Sequence, residues 1–215
     1  MEYIKNIKGQ LVVAIPSKNP LKNRVISYLK SRSFNVQRSS DRILKATIKE
    51  NPYYTVVFVN PKDIPFYIQN GIVDVGFTSQ DLIFETNVKI RPVININASK
   101  VEVNLLVPKD IGYNSPMQLL EKNIATSLPR ISKKYFEKLH LKVNIIKANG
   151  SLEILPYLKK MADAVIDIVD TGFSAKEHDL KIIDTIFSSS CVCAVNMPEL
   201  QGNHKLINQF LRKLY

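Results

Sequence analysis

The stretch Thr55-Val56-Val57-Phe58-Val59-Asn60-Pro61, followed after a helical spacer by Gly71-Ile72-Val73-Asp74-Val75-Gly76-Phe77-Thr78-Ser79-Gln80-Asp81, decides the fold class. Two short β-branched and aromatic runs, 55–59 and 73–77, flank a segment that opens on Asn60 as cap with Pro61 at the first helical position and closes at Gly71. Strand, helix and strand in that order is the unit of an α/β protein with a mainly parallel sheet. The second run ends in Thr78, Ser79, Gln80 and Asp81, whose hydroxyls and backbone N–H groups are expected to open another helix toward a ligand. In such folds ligands bind in the crevice at the carboxyl ends of the strands.

The same alternation continues on both sides. Residues 11–15 read as a buried strand and 16–19 as a turn, with Asn19 as cap, Pro20 as first helical residue, and Ile26 and Leu29 facing the core. Residues 88–107 are strand-rich with an interruption at 97–100, which predicts two crossing segments between lobes. A strand at 124–126, a helix at 129–139, a strand at 142–147, a helix at 151–161 and a strand at 164–169 make a second α/β set. Two strand-like segments, 181–187 and 191–196, and a helix at 203–214 return to the first lobe. The expected architecture is two α/β lobes, with residues 1–94 and 181–215 in the first and 95–180 in the second.

With 215 residues and 45% hydrophobic content, the chain can bury the core of one large domain or two compact lobes. Its charged fraction is that of an ordinary globular protein, which excludes disorder and fibrous repeats. No apolar run approaches the roughly 20 residues needed to span a bilayer, and residues 1–10 fit no targeting sequence, so no membrane partner and a cytoplasmic location are expected. Cys191 and Cys193, at i and i+2, would point to one face of a strand and read as core thiols rather than a disulfide. A Cys-x-Cys metal half-site lacks partners, because His140, His178 and His204 show no ligand-like spacing. The formal charge of +11 suits a polyanionic ligand, although the basic residues are scattered, as on a solvated Lys-rich surface. Nucleic acid is disfavoured as a partner, since neither an aromatic stacking motif nor a clustered basic helix is present.

The stretch richest in chemistry is Ala162-Asp163-Ala164-Val165-Ile166-Asp167-Ile168-Val169-Asp170-Thr171-Gly172-Phe173-Ser174, an apolar strand ending in acidic, hydroxyl and glycine residues. Gly172 lets a backbone approach a phosphate closely, Thr171 and Ser174 add hydroxyl donors, and a following helix N-terminus would add N–H groups. Asp167 and Asp170 would repel a bare phosphate, but they suit a ligand that also carries a diol and a magnesium ion. A phosphorylated ribose meets both conditions. The other reading is a strand-to-helix turn that Asp170 and Thr171 merely cap.

One helix upstream stands Asn149-Gly150-Ser151-Leu152-Glu153, and the run from 145 through 174 resembles the signature region of the ATP phosphoribosyltransferase family. Asp63-Ile64-Pro65, the segment Asp74-Val75-Gly76-Phe77-Thr78 with Asp81, and Ile124-Ala125-Thr126 with Pro129 and Lys134-Tyr135-Phe136 match further family motifs in the right order. The resemblance implies a periplasmic-binding-protein-like bilobal fold with the active site in the cleft between the lobes. It implies displacement of pyrophosphate from phosphoribosyl pyrophosphate by N1 of the adenine of ATP, the first step of histidine biosynthesis. Asp167 and Asp170 would face the ribose diol or metal, and Thr171, Gly172, Phe173 and Ser174 would cradle the 5-phosphate. Glu153 is a further substrate-binding candidate, while Asp74, Gly76, Thr78 and Asp81 would line the nucleotide or pyrophosphate wall and Lys18 would contact phosphate. Mg²⁺ would be held mainly through the substrate. The family's short form ends near this length and works with a catalytically inactive partner resembling histidyl-tRNA synthetase, which implies a homo- or hetero-oligomer.

The chain departs from the family pattern at Pro16-Ser17-Lys18-Asn19-Pro20, where a glycine and an arginine are usual. Glu102 and Asn60 stand near two further arginine positions, and Ser79 replaces a glycine. Each charge-assisted hydrogen bond to phosphate contributes roughly 1.5–3 kcal/mol, so these losses define an alternative: a catalytically weakened nucleotide- or phosphosugar-binding regulatory protein on the same fold.

Overall fold

The computed structural model describes residues 9–40, 42–158, 161–169, 179–196 and 204–215, with 97–99 and 204 described by backbone alone. The chain forms two α/β units, Met1–Ser99 with Ser190–Tyr215 and Lys100–Ser189.

The first unit contains β1 (Leu11–Pro16), α1 (Leu21–Ser31), β2 (Val36–Gln37), β3 (Lys45–Ile48), β4 (Asn51–Val59), α2 (Ile64–Gln69), β5 (Val75–Ser79) and α3 (Gln80–Thr86). Two long strands, β6 (Ile90–Pro108) and β10 (Leu180–Asn196), each run from one unit into the other. The second unit holds β7 (Asn123–Thr126), α4 (Pro129–Lys138), β8 (Asn144–Lys147) and β9 (Ala164–Val169). The closing helix α5 (His204–Leu214) belongs to the first.

In the first unit the strand order is β2-β3-β4-β1-β5-β10. β1 lies parallel to both β4 and β5, while β10 returns antiparallel on β5. Leu11, Val13 and Ile15 of β1 pack toward Val25 and Leu29 of α1 and Ile207, Phe210 and Leu214 of α5. Val12 and Ala14 pack instead toward Ile64 and Ile68 of α2. A strand covered by helices on both faces is apolar without alternation, which is why residues 11–15 read so clearly in sequence.

In the second unit the order is β6-β9-β7-β8, with β7 parallel to its neighbours and β6 antiparallel to β9. One face carries Val103, Leu105, Ile124 and Ile166 against Ile131 and Phe136 of α4. The other carries Leu106, Ala125, Val165 and Val169 with Leu152 and Leu180.

Several local expectations change. Residues 88–107 form no pair of crossing segments separated at 97–100, since β6 is one strand. Likewise 181–187 and 191–196 are parts of the single strand β10, whose first half is partly exposed and whose second half is buried. Backbone pairing continues through polar residues when they sit on an exposed strand face. The units accordingly divide inside β6 and β10, after Ser99 and after Ser189, where no turn marks the place. The helix expected at 151–161 is a short 3-10 segment, Leu152–Tyr157, with Pro156 inside it. Proline lacks the N–H and its ring crowds the preceding turn, so a regular α-helix does not propagate there.

Helix α2 starts at Ile64 rather than at Pro61. Asn60 caps a turn instead: its Oδ1 accepts from Lys62 N–H at 3.2 Å and its carbonyl from Asp63 N–H at 2.9 Å. Pro20 occupies the cap of α1 without a side-chain cap bond, so Asn19 does not have that role. Leu29 is buried as expected, with Val25 beside it, whereas Ile26 only packs at the margin of the core.

Candidate active site

Two of the expected unit 1 site residues hold the fold. Asp74 precedes β5, and its Oδ2 accepts from Val12 N–H at 2.7 Å while its own N–H donates to Val12 O at 3.0 Å. That contact lies at the amino ends of the parallel strands β1 and β5, about 13 Å along β5 from Thr78 at the carboxyl end. The structure therefore does not bring Asp74 together with Thr78 and Asp81. Gly76 lies beneath α2: a Cβ there would stand 2.7 Å from Ile68 Cδ1 and 2.8 Å from Ile64 Cγ2. Its register partners are Ala14 on one side and Ala194 on the other, a row of small residues that lets the helix settle on the sheet.

Thr78 and Asp81 do gather at the carboxyl end of β5 and in the first turn of α3, both buried. The Thr78 hydroxyl has no hydrogen-bond partner among the described residues. Asp81 in a first helical turn is favoured by the helix dipole. Beside them Gln80 Oε1 accepts from both Ser190 N–H at 3.2 Å and Ser190 Oγ at 3.0 Å, tying α3 to β10. Cys191 follows, paired in register with Ser79. Burial pushes its thiol up to about 12, with Arg24 opposing and Asp81 reinforcing the shift. Both cysteines are free and buried, as core thiols should be. Lys18 is exposed in the turn after β1.

In the second unit Asp167 is half-buried on β9, and its Oδ1 accepts from Ile168 N–H at 2.8 Å. It shares a sheet face with Val165 and Val169, on which the 3-10 segment bearing Leu152 packs. Glu153, in the first turn of that segment, is half-buried. β9 ends at Val169 and leads directly into Asp170, Thr171, Gly172, Phe173 and Ser174, which lie outside the described residues. Asp163, part of the same motif, precedes β9 and clamps β7: its Oδ2 accepts from Asn123 N–H at 2.9 Å and its N–H donates to Asn123 O at 2.7 Å. Lys109 is ion-paired with Asp179 at 3.3 Å, and Lys100, two residues before Glu102, is exposed.

The sequence reading missed Asn104. It is fully buried on β6, directly opposite Asp167 in the β6–β9 register. Its signal was a single amide within the apolar run Val103-Asn104-Leu105-Leu106-Val107.

The arrangement of β9 and its acidic end can be set beside known proteins. The HisG family model, ATP phosphoribosyltransferase, matches residues 60–215. The chain belongs to the ATP phosphoribosyltransferase family. An ATP phosphoribosyltransferase of Methanosarcina mazei is 32% identical over 196 residues, 91% of this chain and 68% of that protein. The ATP phosphoribosyltransferase of Halothermothrix orenii is 31% identical over 208 residues, covering 95% of this chain and 92% of the relative. Among solved structures, the ATP phosphoribosyl transferase (HisG:HisZ) complex from Thermotoga maritima superposes with a TM-score of 0.80 at 30% identity, over 95% of this chain and 96% of that one. The substrate binding protein of an amino acid ABC transporter, at 17% identity and a TM-score of 0.58 over 96% of this chain and 92% of that one, shares the fold alone. Family membership makes the chain a transferase of the phosphoribosyl class, and the weakened regulatory-protein reading is not favoured. Among the described residues, no helix is long and apolar enough to cross a membrane.

Proposed function

We propose that the chain condenses ATP with phosphoribosyl pyrophosphate, adenine N1 attacking the anomeric carbon and pyrophosphate departing, to give phosphoribosyl-ATP. The ring nitrogen is already a competent nucleophile, so no covalent enzyme intermediate is required. Rate enhancement comes from positioning the two substrates and from stabilising the leaving pyrophosphate. In this reading Asp167 and Asp170 face the ribose, and Thr171, Gly172, Phe173 and Ser174 hold its 5-phosphate, with Glu153 nearby. Thr78, Asp81 and Lys18 serve the nucleotide or pyrophosphate, while Asp74 and Gly76 are left with their roles in packing. The observation that carries the reading is Asp167, a half-buried carboxylate near the carboxyl end of β9 in a chain whose family match spans that strand.

The donor chemistry fits Mg²⁺ brought in on the substrate. Asp167 would offer hard carboxylate oxygens to such an ion, with the substrate's pyrophosphate and water as its other oxygen donors. Held there, it would supply neutralisation of the charge that develops on the leaving pyrophosphate. The Thermotoga relative was solved as a complex of HisG with HisZ. We extend that to this chain, with a regulatory subunit resembling histidyl-tRNA synthetase as its partner and an oligomer as the working form.

Replacing Asp167 with Ala tests the assignment. Turnover is expected to fall roughly ten- to a hundred-fold, the loss of a charged hydrogen-bonding group, with the melting temperature little changed. Full turnover in Asp167→Ala would contradict it.

A further inference from the structure

Asn104 is out of place by packing rules. It is fully buried, within a run of β6 whose other members, Val103, Leu105, Leu106 and Val107, are buried apolar residues. Its Oδ1 accepts from Thr185 Oγ1 at 2.7 Å, while its Nδ2 is buried with no hydrogen-bond partner among the described residues. Turning the amide over does not repair this. Nδ2 would then meet the Thr185 hydroxyl oxygen and Oδ1 would be left instead. A buried unpaired amide end destabilises the native state, and a leucine of similar size would not carry that cost. Packing alone therefore gives no reason for an amide at this position.

Its neighbour supplies one. Asn104 and Asp167 are direct partners in the antiparallel pairing of β6 with β9. Leu106, Val165 and Val169 of the same two strands cluster on one face, which places Asn104 and Asp167 on that face as well. Directly opposed side chains have Cβ atoms about 4.5–5.5 Å apart, so a rotation of the Asp167 side chain brings a carboxylate oxygen to the amide. In this structure the carboxylate is turned to its own chain, Oδ1 accepting from Ile168 N–H.

We propose that Asn104 is a positioning residue for the transfer reaction: its spare amide N–H, anchored from the other side by Thr185, is the donor that orients the Asp167 carboxylate when phosphoribosyl pyrophosphate binds. The inference rests on the reading of Asp167 as the ribose-facing group. An N–H donated to a carboxylate is among the stronger hydrogen bonds in a protein, and it fixes a side chain that otherwise rotates about two bonds.

The test is calorimetric titration of Asn104→Leu, Asn104→Ser, Asp167→Ala and the Asn104→Leu/Asp167→Ala double variant with phosphoribosyl pyrophosphate and Mg²⁺. ATP binding and thermal unfolding serve as controls. Asn104→Leu should bind phosphoribosyl pyrophosphate about ten-fold more weakly or worse, with ATP affinity unchanged and melting temperature equal or higher. Asn104→Ser, which restores a donor, should bind more tightly than Asn104→Leu. On the Asp167→Ala background the Leu substitution should add nothing, because residues that act through one another are not additive. Wild-type binding by Asn104→Leu, or a full additional loss in the double variant, overturns the proposal while leaving Asp167 in place. Wild-type binding by Asp167→Ala removes the underlying reading, and the proposal with it. Should Asn104→Leu fail to fold, Thr185→Val, which frees the amide from its anchor, is expected to lose affinity in the same direction, and unchanged affinity there counts against the proposal.

Discussion

Asp74 and Val12 clasp one another across β5 and β1, the carboxylate accepting from one backbone N–H while the Asp74 N–H donates to the Val12 carbonyl. Asp163 and Asn123 repeat the arrangement between β9 and β7. In each unit an acidic residue just ahead of a parallel strand thus closes the amino end of the sheet, and leaves the carboxyl end for chemistry. Removing the Asp74 carboxylate would leave the N–H of buried Val12 without that acceptor, so Asp74→Ala is expected to lower stability by about 1–3 kcal/mol in urea unfolding. The Michaelis constants for both substrates should stay as they are. A raised constant for ATP with unchanged stability would return Asp74 to the ligand wall.

Gly76 has no room for a side chain. A methyl group there would press on Ile64 and Ile68, both fully buried, and overpacking of this kind costs about 1–3 kcal/mol. Gly76→Ala should therefore unfold at lower denaturant concentration. Adding Ile68→Val, which removes the Cδ1 atom at 2.7 Å, should give less than the sum of the two single losses. Strict additivity would mean that the helix moves as a body instead of meeting the methyl group through Ile68.

The two buried cysteines make alkaline stability a measurable property. Burial raises the Cys191 thiol from its ordinary 9.0 to about 12, and Cys193 shifts in the same direction for the same reason. Between those values the unfolded chain has released the proton and the native chain still holds it. Native stability is therefore fully present below the lower value and falls as pH rises toward the upper one. Cys191→Ala should show a shallower loss than the wild type between about pH 8 and about pH 10.5, read from denaturant midpoints. Identical slopes would show that the Cys191 thiol does not contribute to the pH dependence.

Much of this architecture is legible in the sequence, for a physical reason. A strand such as β1 is covered on both faces and reads as an unbroken apolar run, and the αL residue Gly71, with φ of 64°, ends α2 where expected. What escapes is set by long-range contacts or by backbone continuity. Nothing local tells that β6 persists through residues 97–100 or that β10 persists through Ser188-Ser189-Ser190. Pro156 was visible, yet the spacing of apolar residues around it still suggested a helix. At the site, a motif aspartate looks the same in sequence whether it closes a strand, as Asp74 and Asp163 do, or projects from one near its carboxyl end, as Asp167 does. Only the register separates the two, and only the register sets Asn104 opposite Asp167.

The most direct test of the account is to titrate the purified chain with phosphoribosyl pyrophosphate and Mg²⁺, add ATP, and follow the N1-ribosylated adenine product by absorbance, alone and with a histidyl-tRNA-synthetase-like subunit. The account gives saturable binding of phosphoribosyl pyrophosphate and ATP-dependent product formation in at least one of the two conditions. Absence of binding, or binding without product in both, would contradict it.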